Sequence, residues 1–276
     1  MVALDAFEVP PVHHLRQVSH SVVATAYRIC GGMPESATSL LAGDTLQTDL
    51  VLDRILKDYT LDFVKHATPV LANKVSHVWN SLPSQLAKEN RKFIYQLIRP
   101  GARAREYEDA LIWLRNAGLI HQVNLCKQPR IPLKAYDDLS VFKVYAFDIG
   151  ILRRLAEIDA SVYYTPSDTM KEFKGALAEN YILQSLVKQF SPSFRYWTSG
   201  NKAEIEFLLP YKDEVFPVEV KAGINITGKS LIQYEKTYNP RYRIRYSMRN
   251  LDINGNLLNI PLFLCDLTPK LLHLCP

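Results

Sequence analysis

Four charged residues lie at spacings that would bring them together on a β-hairpin. Glu204 and Glu206 belong to one predicted strand, and Glu219 and Lys221 belong to the next. Side chains alternate across a strand, so the two members of each pair share one face. If residues 211–214 form the turn, Glu206 lies opposite Glu219 and Glu204 opposite Lys221. Clustered carboxylates suit Mg²⁺ or Mn²⁺, and a lysine beside them can orient or deprotonate a water for phosphodiester hydrolysis.

The hairpin has an alternative interpretation as a solvated face with cross-strand ion pairs, which are common on protein surfaces. A further carboxylate favours the metal site. Glu179 lies on a strongly periodic helix predicted from Phe173 to Phe190. The order along the chain is therefore a helix with Glu, a strand with Glu, and a strand with Glu-x-Lys.

That order resembles the PD-(D/E)-x-K nuclease core. The strings GALAEN, YWTSGNKAEIEF and FPVEVKAG resemble the C-terminal domain, itself of unknown function, of a family of prokaryotic AAA-type ATPases. The resemblance implies four active-site residues, with the three glutamates as ligands of Mg or Mn: Glu179, Glu206, Glu219 and Lys221. The family usually has Asp where this chain has Glu206. The extra methylene moves the carboxylate by about 1.5 Å and would change the geometry of a bound metal.

Residues 71–150 are predicted to form three helices followed by a hairpin, with the second helix marked by the apolar residues of Phe93–Ile98. The third helix spans about Ala102 to Ala117, and Gly118 ends it. The strand-like segments Leu119–Leu125 and Val141–Phe147 enclose a basic loop. This arrangement describes a winged helix. SQLAKENRKF and EYEDALIWLRNAGLIHQV resemble the winged-helix segment of the same ATPase family.

DNA binding by this unit would use basic side chains around the third helix and the loop, where they can contact phosphates. The candidates are Arg99, Arg103, Arg105, Lys127 and Arg130. Acidic residues on the same helix would repel phosphates: Glu106, Glu108 and Asp109. DNA binding and a protein-packing role therefore both stay open, because a fold does not by itself fix function.

The segment Gly223–Ser230 satisfies the GxxxxGK[ST] pattern of a nucleotide-binding P-loop. A P-loop ATPase also needs further βα units and a Walker B strand, and only 46 residues follow Ser230. We therefore expect no ATP binding. The segment is instead predicted to lead into a helix from Lys229 to Tyr238.

Composition excludes some classes of function and permits others. The 33 Lys and Arg against 28 Asp and Glu give a net charge of +5, which permits nucleic-acid binding without requiring it. The four cysteines lack metal-ligand spacing and suit a reducing compartment. No apolar run approaches about 18 residues and no signal-peptide pattern is present, so we expect a cytoplasmic protein without a membrane partner.

We predict an α/β protein in three parts. Residues 1–70 form a helical segment, 71–150 the winged helix, and 151–276 a restriction-endonuclease-like mixed sheet flanked by helices. GGMPE at residues 31–35 resembles the junction behind the ATPase core in the same family, although a Gly-Gly helix stop and a Pro helix start explain it locally as well. The family's Walker-motif core is missing, so we expect a truncated relic, a split gene product or a fragment.

The predicted function is that of a DNA-associated protein with a metal-dependent nuclease-like domain, a phosphodiesterase of the PD-(D/E)-x-K type. One alternative is a catalytically silent module that interacts with DNA or with a protein. The other is the regulatory half of a split ATPase, whose nucleotide-binding core is a separate partner. The sequence does not indicate the DNA substrate, the oligomeric state or the biological process.

Overall fold

The computed structural model of the chain describes residues 20–88, 91–163, 171–190, 193–200, 203–223 and 228–274. The first 19 residues of the predicted helical segment lie outside these ranges. The α-helices are α1 (His20–Cys30), α2 (Pro34–Leu41), α3 (Thr45–His66), α4 (Pro69–Leu86), α5 (Ala104–Asn116), α6 (Ile149–Leu155), α7 (Lys171–Gln189), α8 (Lys229–Tyr238) and α9 (Thr268–Leu274). The strands are β1 (Ile120–Cys126), β2 (Asp137–Ala146), β3 (Arg195–Thr198), β4 (Glu204–Tyr211), β5 (Glu214–Val220), β6 (Arg243–Ser247), β7 (Asp252–Asn254) and β8 (Leu257–Pro261). This α/β architecture confirms the predicted fold class.

The junction between α1 and α2 follows the predicted Gly-Gly stop and Pro start. Gly31 has a φ of +65°, a left-handed conformation that glycine adopts at little cost, and Pro34 begins α2. The backbone N–H of Gly32 donates to Asp148 Oδ2 at 2.7 Å. A Cβ on Gly150 would lie 2.7 Å from the carbonyl oxygen of Cys30, so glycine there lets α6 pack directly against the end of α1.

The predicted second helix of the winged-helix unit is wrong. Its residues form a single 3-10 turn at Tyr95–Leu97. The Gln85 side chain bonds both the carbonyl and the N–H of Ile94, at 2.9 and 2.8 Å, and the N–H of Phe93 donates to the carbonyl of Phe142 at 2.8 Å. These contacts satisfy the backbone in an extended conformation, so no helix is needed there. The winged-helix assignment stays a prediction.

One mixed sheet of eight strands runs through the described residues, in the order β2-β1-β3-β4-β5-β6-β8-β7. The strands β5, β6 and β8 are mutually parallel, and β3, β4 and β5 are antiparallel. A short parallel pairing joins β1 to β3, at Asn124 with Arg195 and Leu125 with Tyr196. The sheet is therefore continuous across residue 150, and the domain boundary predicted there stays a prediction.

Two hydrophobic cores flank the sheet. The larger one contains α7 and the sheet residues Phe207, Val218 and Ile244. The smaller one joins Leu231 and Tyr234 of α8 to sheet residues that include Trp197, Ile205 and Leu208. The predicted helix Lys229–Tyr238 is confirmed at both ends as α8. Among the described helices, none is both long and apolar enough to cross a membrane.

Candidate carboxylate site

The hairpin of β4 and β5 carries the site, and its turn at residues 211–214 is confirmed by pairing of Tyr211 with Glu214. Backbone pairing then runs to Phe207 opposite Val218. One step further, Glu206 Oε2 accepts a hydrogen bond from the backbone N–H of Val220 at 3.4 Å. The Glu206 carboxylate thus satisfies a backbone donor beyond the end of the ladder, which holds it against β5.

A β-bulge lies at Glu206 and Phe207 of β4. Against β3, Leu208 pairs with Arg195 but Ile205 pairs with Trp197, so Glu206 and Phe207 together oppose one residue of β3. Ile205 and Leu208 are three positions apart and yet pack in the same core, which strict alternation would not allow. The bulge begins at Glu206, so it leaves the predicted alternation of Glu204 and Glu206 around Ile205 intact.

Glu179 of α7 is buried and has a partner on each oxygen. Arg91 Nη1 pairs with Oε1, and the Tyr145 hydroxyl donates to Oε2 at 3.1 Å. Burial, together with the charge of Glu179, raises the pKa of Tyr145 well above its usual value, so its hydroxyl keeps the proton that it donates. The carboxylate predicted from the helix therefore meets a cation from the loop after α4.

Glu219 is fully buried between two cations. Arg245 Nε, on the neighbouring parallel strand, donates to Oε2 at 2.9 Å, and Lys221 Nζ lies 3.4 Å from Oε1. Lys221 also lies 4.0 Å from Oε1 of Glu206. Despite the short distance to Lys221, Oε1 of Glu219 has no hydrogen-bond partner among the described residues, because proximity alone does not give the required angles.

Glu204 pairs with a fourth cation. Lys143 of β2 is fully buried, its Nζ contacts Glu204 Oε1, and it lies 4.7 Å from the centre of the Tyr196 ring. The four carboxylates thus each have a protein cation within 4.0 Å. The carboxylates are Glu179, Glu204, Glu206 and Glu219, and the cations are Arg91, Lys143, Lys221 and Arg245.

The charges shift the protonation of the centre of this cluster. Burial, together with the negative charges of Glu179 and Glu219, raises the pKa of Glu206 to about 8, although Lys221 and Lys143 act in the opposite direction. Burial lowers the pKa of Lys221, but the carboxylates Glu206 and Glu219 outweigh it and the net pKa is raised. Near pH 7, Lys221 is therefore protonated and Glu206 is largely uncharged.

As arranged, the residues do not fit a bound metal. Carboxylate oxygens are suitable donors for Mg²⁺ or Mn²⁺. Within the described ranges, however, no three His, Cys, Asp or Glu side chains are grouped to hold a metal ion. Both oxygens of Glu179 and one of Glu219 are already engaged by protein donors. A metal would have to displace at least one of these donors.

Arg91, Lys143 and Arg245 were not predicted from the sequence. Arg245 had a local signal, since it pairs in register with Glu219 on parallel β6 and paired residues share a face. Arg91 and Lys143 had none, because they lie 88 and 61 positions from their partners. Only the three-dimensional fold brings them to the site.

The predicted DNA-contacting residues fall into two groups. Two are engaged in ion pairs: Arg99 Nη2 lies 3.3 Å from Glu106, and Lys127 Nζ lies 3.0 Å from Asp138. Arg99 also lines a cavity of about 540 Å³ between α4 and α5. These contacts reduce the positive charge that Arg99 and Lys127 offer to a ligand.

The other three basic candidates are exposed and form no ion pair with the described residues: Arg103, Arg105 and Arg130. Arg103 and Arg105 lie at the start of α5, and Arg130 lies between β1 and β2. The predicted acidic residues Glu108 and Asp109 are exposed on the same helix. Asp109 is offset by Lys74, whose Nζ lies 2.9 Å away.

The P-loop-like segment lies partly outside the described residues, which omit 224–227. Its last residues are described. Lys229 and Ser230 form the first turn of α8, and Gly228 lies against Arg245, whose Nη2 would be 2.1 Å from a Cβ at that position. The end of this segment therefore packs on the cluster through Arg245.

Comparison with protein families matches residues 24–162, just over half of the chain, to a family described as Domain of unknown function (DUF8612). The chain belongs to this family. The DUF8612 match contains α2 to α6, and so it includes Arg91 and Lys143. Residues 174–263 match a second family, Domain of unknown function (DUF4143), which includes all four carboxylates. Neither the curated proteins nor the solved structures give a significant match.

Proposed function

We propose that the chain is a catalytically silent, DNA-associated module in which the nuclease-like carboxylate site is an internal ion-pair network. One observation carries the proposal. Each carboxylate of the cluster already has a protein cation within 4.0 Å. A site that must recruit a divalent ion gains most when its negative charges are uncompensated, and these are compensated.

The cost of replacing the protein cations supports a scaffold role. Breaking a buried ion pair by removing one partner leaves an uncompensated charge, which typically costs about 3–5 kcal/mol. Arg245 and Glu219 form such a pair, with side chains 11% and 1% exposed. Arg91 and Glu179 form a second pair, with side chains 16% and 4% exposed, whose loss should cost less because Glu179 also accepts a hydrogen bond from the Tyr145 hydroxyl. A metal ion that displaced these cations would have to offset the free energy of the broken ion pairs before it bound with any net affinity.

The association with DNA rests on the exposed cations of the N-terminal unit. Arg103 precedes α5, Arg105 lies in its first turn, and Arg130 lies in the loop between the two strands that follow; all three are exposed. Exposed arginines free of ion pairs can contact phosphates with little desolvation. The net charge of +5 favours the same kind of partner.

A metal-dependent phosphodiesterase is the second candidate, and a specific observation favours it. Oxygen Oε1 of Glu219 is buried and accepts no hydrogen bond among the described residues. Its nearest cation, Lys221 Nζ, lies 3.4 Å away, and a buried acceptor without a well-oriented donor is costly. This candidate also matches the order of Glu179, Glu206, Glu219 and Lys221 along the chain. It requires a rearrangement of the ion pairs.

Metal binding and cleavage separate the two candidates. We expect calorimetry to detect no saturable Mn²⁺ binding by the wild type, and we expect no cleavage of duplex or branched DNA with Mn²⁺. Glu206→Asp, which restores the usual family ligand, should remain inert. Mn²⁺-dependent cleavage that is lost in Glu219→Gln would instead establish the phosphodiesterase.

Binding to duplex DNA tests the other half of the proposal. We expect binding that weakens steeply with salt, because phosphate contacts release counterions. The double variant Arg103→Gln/Arg105→Gln should bind more weakly and with a shallower salt dependence. Lys236→Gln, which removes an exposed cation from α8, is the matched control and should bind as the wild type. No binding at low salt would point to a protein partner.

A further inference from the structure

Exposed apolar side chains are concentrated on one surface of the N-terminal helical unit. Among the described residues, fourteen large apolar side chains are well exposed, and six of them lie between the last residue of α2 and the first turn of α4. These six are 52–88% exposed: Leu41, Leu46, Leu50, Leu61, Val64 and Val70. Single exposed apolar residues are normal on a protein surface, whereas a contiguous group marks a site of contact with another molecule.

Four of the six form a stripe along α3: Leu46, Leu50, Leu61 and Val64. An α-helix turns by about 100° per residue, so these four side chains fall within a sector of about 60°. The sector is roughly opposite to the face that packs in the core through Leu52 and Phe63. At about 1.5 Å per residue, the stripe extends for about 27 Å, which is most of the length of this 22-residue helix.

The middle of the stripe carries one acidic and one basic residue, Asp53 and Lys57, which lie on the same face of α3. Asp53 pairs with Arg154 of α6, yet its side chain stays 43% exposed. Lys57 is exposed and forms no ion pair with the described residues. The exposed face of α3 therefore has two apolar ends and a centre that carries both signs of charge.

The pattern on this face is complementary to its own reverse. Asp53 and Lys57 lie two positions on either side of Ile55, and Leu46 and Val64 lie nine positions on either side of it. An antiparallel copy of the helix thus presents an apolar end to each apolar end, and an acidic residue to each basic one. A parallel copy would present Asp53 to Asp53 and Lys57 to Lys57, and these like charges would repel each other.

We propose that two copies of the chain form a dimer through α3, packed as an antiparallel helix pair about a two-fold axis near Ile55. Such an interface uses the same patch on both copies, so it requires a patch that is complementary to its own reverse. Lys57 of each copy pairs with Asp53 of the other. None of these residues belongs to the carboxylate site, so the dimer goes beyond the proposed function and does not depend on it.

Apolar residues fill the contact on both sides of the two-fold axis. In the antiparallel pair, Leu46 lies against Val64 of the second copy, and Leu50 lies beside Thr60 and Leu61 of the second copy. The seam repeats at alternating steps of four and three residues, as in a coiled coil: Leu46, Leu50, Asp53, Lys57, Thr60 and Val64. Each end of the interface therefore removes apolar side chains of both copies from water.

Analytical ultracentrifugation of the full chain from about 1 to 100 µM tests the dimer. We expect reversible association with a dissociation constant on the order of 10 µM, as for a small interface. Leu46→Glu/Val64→Glu places carboxylates in the apolar ends of the seam and should weaken the dimer at least about 100-fold. Ile232→Glu changes an exposed apolar residue of α8 and is the matched control, which should dimerise as the wild type does.

The central charges are tested by Lys57→Glu. This variant presents a like charge to Asp53 of the second copy, so the dissociation constant should rise at least about tenfold, and the difference from the wild type should shrink at high salt. Lys57→Arg keeps the charge and should dimerise as the wild type does. Lys236→Glu makes the same change of net charge on the exposed surface of α8 and should have no effect.

Disulfide cross-linking tests the antiparallel register. Leu46→Cys/Val64→Cys should form an intermolecular disulfide on mild oxidation, because the two positions face each other in the dimer. Leu46→Cys alone should not, because position 46 of one copy then lies about 27 Å along the seam from position 46 of the other. The wild type, oxidised in the same way, controls for the native cysteines.

Three outcomes would overturn the inference. The first is a wild type that stays monomeric at about 100 µM, which would leave the stripe on α3 to a different protein partner. The second is a dimer that persists unchanged in folded Leu46→Glu/Val64→Glu and in Lys57→Glu, since the contact would then lie elsewhere. The third is efficient cross-linking of Leu46→Cys alone, which would require a parallel arrangement. Circular dichroism of each variant confirms that the fold is retained.

Discussion

Two arginines, the fully buried Arg153 and the largely buried Arg91, contact distant parts of the chain, and they differ in how completely they are paired. Arg153 of α6 donates from Nε to the carbonyl of Ile29 at 3.0 Å, from Nη1 to the carbonyl of Ile158 at 2.5 Å, and from Nη2 to Asp49 at 2.5 Å. The second oxygen of Asp49 accepts the N–H of Ala160 at 3.0 Å. Arg91 pairs with Glu179, but its Nε has no hydrogen-bond partner among the described residues.

The difference separates a structural network from a candidate site. A buried polar network in which all members are satisfied stabilises one arrangement, and any change to it costs the full desolvation of the groups left behind. In an incomplete network some polar groups are already desolvated without a partner. Rearranging such a network therefore costs less additional free energy. We therefore expect the Arg153 network to be rigid and the Arg91 network to exchange partners.

The largest effect is expected at the complete network. Arg153→Met should destabilise the protein by about 3–5 kcal/mol, because it leaves Asp49 buried without its main charge partner. Urea unfolding followed by circular dichroism measures this. Arg154→Gln is the matched control on the same helix. It removes pairs with Asp53 and Asp159, which are 43% and 70% exposed, and a longer 3.8 Å contact with Asp49, so it should cost clearly less than Arg153→Met.

A smaller loss is expected at the incomplete network. Arg91→Gln should destabilise the protein by about 1–3 kcal/mol, since Glu179 keeps the Tyr145 hydroxyl and the variant removes a buried donor that has no partner among the described residues. The same urea experiment provides the value. Equal losses for Arg91→Gln and Arg153→Met would contradict the distinction between the two networks.

The pH dependence of stability should report on Glu206. Its pKa is raised to about 8 in the folded protein, from a usual value of 4.5. Between these values the folded state keeps a proton that the unfolded state has released, so the contribution of Glu206 to stability falls as pH rises. Glu206→Gln should remove this fall and stabilise the protein above pH 8, by an amount on the order of a few kcal/mol.

Urea unfolding of wild type and Glu206→Gln from pH 4 to pH 9 tests this expectation. The two proteins should differ little at pH 4, where the carboxyl group is protonated in both states. Glu214→Gln is a suitable control, because Glu214 starts β5 away from the cluster. A difference between wild type and Glu206→Gln that does not change with pH would rule out a raised pKa.

The smallest effect on stability is expected on the surface loop. Lys127→Ala breaks an ion pair with Asp138 in which the lysine is 67% exposed, so it should cost about 0–1 kcal/mol. Together with Arg130→Ala it should weaken DNA binding across sequences without unfolding the protein. Unchanged DNA binding in this folded double variant would move the contact surface away from the loop.

Local patterns predicted the elements, and long-range contacts decided the site. The hairpin turn at residues 211–214 and the helix Lys229–Tyr238 follow from alternation and helical periodicity, and both are confirmed. The helix expected around Phe93–Ile98 is wrong, because Gln85 and the carbonyl of Phe142 satisfy the extended backbone there. Periodicity does not register such tertiary hydrogen bonds.

The candidate site was predictable in its acidic half only. The three predicted glutamates and Lys221 do lie near one another, since Lys221 pairs with Glu206 and Glu219 and the charge of Glu179 raises the pKa of Glu206. The cations Arg91 and Lys143 carry no local signal, since each reaches its partner across a separation that only the complete sheet creates. The bulge at Glu206 depends on the register with β3, which the sequence of β4 alone does not specify.

The short pairing of β1 with β3 has a consequence for any attempt to divide the chain. The two family matches meet between residues 162 and 174, which is the natural place for a cut, yet the sheet crosses from one match to the other at Asn124 and Arg195. A cut there removes no strand but allows the halves to separate, which exposes unpaired N–H and C=O groups on both. Open strand edges promote self-association, so the halves should be expressed together rather than alone.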